Sequence, residues 1–122
     1  MDLYQQELMD HYRYPRNRGV LESPSFASEV LNPSCGDQIS FQGIVKDGTV
    51  RALKFQGKGC VISQAAASML SEKGINQPIS IIQEWGKDTM LSLVRIPLGP
   101  TRLRCALLPL EALQSGIAKI LQ

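Results

Sequence analysis

At 122 residues and 13.4 kDa, with 43% hydrophobic and 20% charged residues, the chain has the size and composition of one globular domain, and a two-domain machine is excluded. Thirteen Lys+Arg against eleven Asp+Glu leave a net charge of +2, too small for a protein that binds by neutralising a phosphate backbone, so nucleic acid is set aside as a partner. No apolar run approaches the ~18 residues of a membrane helix, which sets a membrane partner aside as well.

From Asp2 to about Arg13, the residues Tyr4, Leu8, His11 and Tyr12 recur at helical spacing, with Asp2 as N-cap and Gln5 three residues on; Pro15 stops this helix. The first residues lack the basic and apolar segments of a secretory signal, which predicts a cytoplasmic protein. Phe26 to Leu31 is β-branched and aromatic enough for a strand, followed by the turn formers Asn32-Pro33-Ser34-Cys35-Gly36-Asp37. Ile39, Phe41, Gly43 and Val45 alternate with polar residues, and beyond Asp47-Gly48 the residues Arg51, Leu53 and Phe55 are expected on one face. This is a hairpin with a type I′ turn.

Alternation ends at Gly57-Lys58-Gly59-Cys60, and Val61, Ile62, Ala65, Ala66, Met69 and Leu70 take up helical spacing to about Lys73, with Gly74 expected as C′ residue. Pro78 to Trp85 and Asp88 to Val94 read as short helices, and Ile96-Pro97-Leu98-Gly99-Pro100 closes them off. A last helix carries Leu110, Leu113, Ile117, Ile120 and Leu121, with Pro109 expected near its first turn and Cys105 in or just before its N-terminal end. Helix, about three strands, then several helices predicts an α+β fold, with helices gathered on one face of a small antiparallel sheet, as a single domain over residues 1–122.

Three cysteines is an odd number, which argues against a closed disulfide framework and for a reducing compartment. Scattered cysteines are commonly buried small hydrophobes. Position argues otherwise here: Cys35 lies in a loop between strands, Cys60 at a strand-to-helix turn, and Cys105 near the start of the last helix. At a helix N-terminus the unpaired N–H groups favour an anionic sulfur, raising nucleophilicity or metal affinity. Gly57 and Gly59 are expected to leave the backbone beside Cys60 open to a bulky inorganic group or a partner's loop. Asp37 can turn its carboxylate toward Cys35. Cys35, Asp37, Cys60 and Cys105 thus offer four donors, suited to tetrahedral Zn²⁺ or to iron-sulfur chemistry, with nothing in the spacing to choose between them. Three thiolates and a carboxylate over-neutralise a divalent ion, and Lys58, Arg102 and Arg104 are expected to offset the excess.

Other residues have plainer readings. His11, the only histidine, sits on an apolar helical stripe and reads as a packing or interface residue. Arg13, Arg16 and Arg18 read equally as a solvated loop or a docking stretch. Ser63 and Ser68 lack a nearby base and read as helix N-terminal and packing residues. Trp85 reads as core or satellite core.

The elements Tyr12-x-x-Pro15-Arg16-Asn17-x-Gly19, Asn32-Pro33-x-Cys35-Gly36-Asp37, Phe55-x-Gly57-x-Gly59-Cys60-x-x-Ser63 and Arg102-x-x-Cys105 resemble, in order and separation, the IscU/NifU/SufU family of iron-sulfur cluster assembly scaffolds. The resemblance covers most of the chain and is loosest from Gly74 to Pro100. It implies a small antiparallel sheet with helices, and a carrier without turnover of its own. Such a carrier accepts sulfur from a pyridoxal-phosphate-dependent cysteine desulfurase and iron from an iron donor, holds a transient [2Fe-2S] cluster, and passes it to apo iron-sulfur proteins. It also implies that Cys35, Cys60 and Cys105 are cluster or zinc ligands, that Asp37 ligates or keeps the site labile, and that Cys105, bordered by Pro97, Gly99 and Pro100, receives the persulfide.

Three departures matter. Arg104 stands where IscU proteins usually carry histidine, and a guanidinium cannot ligate a metal. Arg102-Leu103-Arg104-Cys105 is closer to SufU proteins, zinc-bound sulfur-transfer partners of a desulfurase, yet the stretch from Cys60 to Cys105 is too short for their usual insert. The LPPVK segment is replaced by Ile96-Pro97-Leu98-Gly99-Pro100-Thr101-Arg102, which argues against hand-off by a dedicated Hsp70-type chaperone.

Overall fold

Strands β1 (Phe26–Asn32), β2 (Asp37–Lys46) and β3 (Thr49–Lys58) form an antiparallel sheet in that spatial order in the computed structural model, which describes residues 2–34 and 36–121. One face carries the buried side chains of Phe26, Ile39, Phe41, Leu53 and Phe55, while Ala27, Glu29 and Gln56 on the other are exposed. This is the period-2 pattern of a sheet covered on one side. The cover consists of helices: α5 (Pro100–Ile120) packs on β1 and β2, α2 (Val61–Gly74) on β3, and α1 (Leu3–Arg13) on α2. Short helices α3 (Ile79–Ile82) and α4 (Lys87–Val94) complete the α+β layout expected from the element order.

Local chemistry accounts for the boundaries. Asp2 and Gln5 form a capping box at the start of α1, each side chain accepting from the other's backbone N–H. Lys46 pairs with Thr49 across Asp47 (φ 54°) and Gly48 (φ 74°), the two positive φ angles of a type I′ turn. Arg51, expected alongside Leu53 and Phe55, is exposed instead. A bulge between Ile44 and Val45 sets Ile44 against Ala52 and Val45 against Val50, so that Arg51 is the extra residue and Val50 turns inward.

Two expectations about helix ends are corrected. Gly74 is the last residue of α2 and not its C′ residue; a Cβ there would lie 2.8 Å from Leu53 Cδ1, so the glycine serves close packing, and the left-handed residue beyond the helix is Asn76 (φ 71°). Helix α5 starts at Pro100, which takes the N1 position its fixed φ suits, and Pro109 lies inside the helix. An interior proline costs about 3 kcal/mol or more. That cost is offset by burial of Ala106, Leu108, Leu110, Leu113 and Ile117 on either side of it.

Helix α2 is the central pillar, buried on nearly every side through Ile62, Ala65, Ala66, Ala67, Ser68, Met69, Leu70 and Ser71. The segment after α1 is tied to it: Arg16 N–H donates to Ser68 Oγ at 2.8 Å and Asn17 Nδ2 to Ser71 Oγ at 3.1 Å. Phe55 N–H donates to Asn17 O and Gly19 N–H to Phe55 O, which covers the outer edge of β3. The basic stretch is therefore partly structural, with Arg16 also paired to Asp10 at 2.6 Å and Arg18 Nη2 donating to Gly57 O at 3.3 Å. Trp85 is half-buried against the core, under the Lys73 ammonium at 5.2 Å from the ring centroid.

Candidate metal centre

Three of the four expected donors converge where the start of β2 meets the N-terminal ends of α2 and α5. Asp37 opens β2 and is 1% exposed, Cys60 is the N-cap of α2, and Cys105 lies in the second turn of α5 at 4% exposure. A carboxylate oxygen of Asp37 and the sulfurs of Cys60 and Cys105 all lie within 4.8 Å of one another. Thiolates at ~2.3 Å from a tetrahedral ion stand about 3.8 Å apart, so a small inward movement of three side chains would close the set. Cys35 lies outside the described residues; around it, Asn32 O accepts from Gly36 N–H at 2.8 Å and Asn32 Oδ1 from Ser34 N–H at 3.1 Å. His11 is buried in the packing role expected of it and shares a 2.7 Å hydrogen bond with Ser68 Oγ, so Ser68, contrary to the expectation from sequence, does have a base beside it.

The glycines next to Cys60 have a use different from the expected one. Gly59 has φ +123°, and a Cβ on it would run into the Asp37 carboxylate, whose Oδ1 accepts the Cys60 N–H at 2.9 Å. Two residues earlier on the strand, a Cβ on Gly57 would lie 2.5 Å from Ile39 Cδ1 and 3.1 Å from Gln64 Nε2. The space these glycines leave is taken by the protein's own side chains, not held open for a partner. Cys60 is held by α2: its Sγ accepts Ser63 N–H at 3.5 Å, and Ser63 Oγ donates to Cys60 O at 3.1 Å. Ser63 is thus the first-turn residue the sequence indicated. Gln64, one turn beyond Cys60, was not singled out, because a glutamine inside an Ala/Ser-rich helix carries no sequence signal of its burial.

Electrostatics corrects a further expectation. Cys105, whose thiolate the helix N-terminus was expected to favour, sits in the second turn of α5, and its thiol is pushed well above the ordinary range, chiefly by burial and then by its neighbours Cys60 and Asp37. Without a cation it is a protonated thiol at neutral pH. Lys58, Arg102 and Arg104, expected to offset the charge, are all exposed, and among the described residues none makes a polar contact with Cys60 or Cys105. Arg102 instead lines a groove of about 550 Å³ with Leu8, Met9, Val61, Ile62 and Ile96, and both Cys60 and Cys105 open onto it. Arg104 faces a different depression with Leu31, Asn32 and Pro33.

This donor set on this sheet-and-helix frame has relatives. Residues 3–122 match the NifU-like N-terminal domain. The chain belongs to that family. It is 36% identical to the zinc-dependent sulfurtransferase SufU of Bacillus subtilis, over 96% of this chain and 90% of that protein. It is 33% identical to the iron-sulfur cluster assembly scaffold protein IscU of Thermotoga maritima, over 97% of this chain and 94% of that one. A Fervidobacterium islandicum protein described as an iron-sulfur cluster assembly scaffold for the SUF system shares the fold with a TM-score of 0.81 at 23% identity, over 92% of this chain and 94% of that one. A NifU-like N-terminal domain from Brucella abortus does so at 0.78 and 20%, over 97% of this chain and 94% of that one. The chain is thus of the iron-sulfur scaffold family, whose named members include both cluster scaffolds and a zinc-dependent sulfurtransferase. No described helix is long and apolar enough to cross a membrane.

Proposed function

We propose that this chain acts, as one cytoplasmic domain, to accept sulfur from a pyridoxal-phosphate-dependent cysteine desulfurase and iron from a donor, to hold a transient [2Fe-2S] cluster, and to pass it to apo iron-sulfur proteins. The observation that carries this reading is the convergence of Asp37, Cys60 and Cys105 within 4.8 Å, at the mouth of an apolar groove. Cys35 supplies the fourth donor in this reading. Asp37 is a harder ligand than a thiolate and keeps the cluster labile, as a carrier requires. Cys105 is the persulfide acceptor. Its thiolate attacks the outer sulfur of the donor's persulfide, an S–S bond to Cys105 forms, the donor's own S–S bond breaks, and the donor cysteine leaves as thiolate. Cys105 must first lose its proton, and the Asp37 carboxylate, within 4.8 Å of its sulfur, is the base at hand.

A second reading, a zinc-dependent sulfurtransferase partner of a desulfurase, is favoured by Arg104. It stands exposed where the scaffold branch supplies histidine, and leaves Asp37 as the one non-thiol donor. Zinc bound at the three cysteines and Asp37 would hold the thiolates ionised at neutral pH. Anaerobic reconstitution with iron and sulfide separates the two. The scaffold reading expects a cluster absorption band that is lost on transfer to an apoprotein. No band, together with tightly retained zinc and strong stimulation of a desulfurase, overturns it in favour of the second reading.

A further inference from the structure

Gln64 is 6% exposed, and neither its Oε1 nor its Nε2 meets a hydrogen-bond partner among the described residues. An amide left this way weakens the fold that contains it, and buried groups of this kind call for an explanation in what they serve. Its place supplies one. On the inner face of β2, Asp37 and Ile39 are successive same-side positions, and Gly57 of β3 lies opposite Ile39, with Gly59 just beyond the strand's end. Ile39 Cδ1 and the Gln64 amide border the space at Gly57, and the Asp37 carboxylate fills the space at Gly59. Successive same-side positions on a strand are ~7 Å apart, the span of a single bridging water or of the short movement that a long side chain makes. On the helix side, Gln64 follows Cys60 by one turn of α2, and Gln64 N–H donates to Cys60 O at 3.3 Å. Gln64 therefore stands immediately behind the donor set, on the core side, with an amide donor and an amide acceptor both uncommitted.

We propose that Gln64 is a positioning residue of the Asp37–Cys60–Cys105 site, its amide turning, directly or through one water, to the Asp37 carboxylate when the site takes up a cation. The inference rests on the metal- or cluster-binding reading above. In the metal-free protein the amide is a cost. In the loaded protein it fixes the carboxylate that a hard, mobile ligand would otherwise present in several orientations, as the outer partners of metal ligands commonly do.

The test is Gln64→Met, which keeps the side chain's length and removes its polar atoms, with Gln64→Leu as a second variant should methionine disturb the packing. Thermal melting of the metal-free proteins and zinc affinity by competition with a chelator are measured on wild type and variant. The expected result is a divergence: the metal-free melting temperature rises by roughly 5 °C as the unpaired amide is lost, while zinc affinity falls about tenfold or more. A residue of purely structural importance cannot move the two in opposite directions. Unchanged zinc affinity in the variant overturns the proposal, and so does a lowered metal-free melting temperature, since the amide would then already be paired within the fold. A wild-type protein that binds neither zinc nor a cluster overturns the functional reading itself, and this inference with it.

Discussion

Gly59 has no side chain because Asp37 occupies the place where one would be. The residue carries two constraints at once, a φ of +123° and a carboxylate against its α-carbon, and both act on the same site. Gly59→Ala is expected to destabilise the metal-free protein by about 1–3 kcal/mol through the forced backbone angle. It should also push Asp37 off the Cys60 N–H, so that bound metal per chain drops together with stability. Melting curves and elemental analysis of the purified variant check this; a variant that melts early but keeps its full metal content would separate Gly59 from the site. Cys105 illustrates the opposite relation between residue and surroundings. Its burial opposes the ionised sulfur that persulfide chemistry needs. Ionisation of this residue therefore depends on what the site holds rather than on the helix terminus that the sequence indicated.

Helices α1 and α2 are joined by a small polar device. Ser68 Oγ accepts Arg16 N–H and shares a 2.7 Å hydrogen bond with His11 Nδ1, and His11 Nε2 lies 3.6 Å from Glu72. The pKa of His11 is lowered from the usual 6.5, first by burial and then by the Arg16 charge, against the pull of Glu72, Glu7 and Asp10. Between the folded value and 6.5 the unfolded chain binds a proton that the folded chain refuses. Stability is therefore intact above pH ~6.5, declines as pH falls through the folded value, and levels off below it. A melting temperature that drops by a few degrees from pH 7.5 to pH 5.5 in wild type, and by less in His11→Asn, is the expected outcome; equal drops in both would refute it. At this scale the sequence was legible where one local interaction decides, as at the Asp2–Gln5 cap and the Asp47-Gly48 turn. It was misleading where a competing candidate existed: two prolines could open α5, and burial of the hydrophobic residues around Pro109 let the helix run through it. The bulge that expels Arg51 depends on register, which no local pattern records. Of the site, Asp37, Cys60 and Cys105 were legible because each stands at an element junction. Gln64 was not, because α2 is buried on nearly every side and its faces show no polar stripe.

In the whole molecule, the site is the point where one strand and two helices meet, so any cation held there would connect elements that are distant in the chain. Helix α5 gives this arrangement a dynamic side. Pro109 has no N–H, and its i−4 residue is Cys105, whose carbonyl consequently lacks the intrahelical donor that every uninterrupted turn provides. The backbone ladder is thus interrupted at the residue proposed to carry sulfur, and α5 is two lengths joined at that point: a short leading arm through Cys105, and a trailing arm held against the sheet by Leu113, Ile117 and Gly116, whose α-carbon sits against Phe26. Amide hydrogen exchange followed by NMR is expected to show residues 103–108 exchanging at least tenfold faster than residues 111–118 in the metal-free protein, with the difference narrowing on zinc addition. Even protection along α5 would contradict this. A leading arm that opened in this way, without unfolding the rest, would present and withdraw the buried Cys105 thiol at a frequency set by the proline that interrupts the helix.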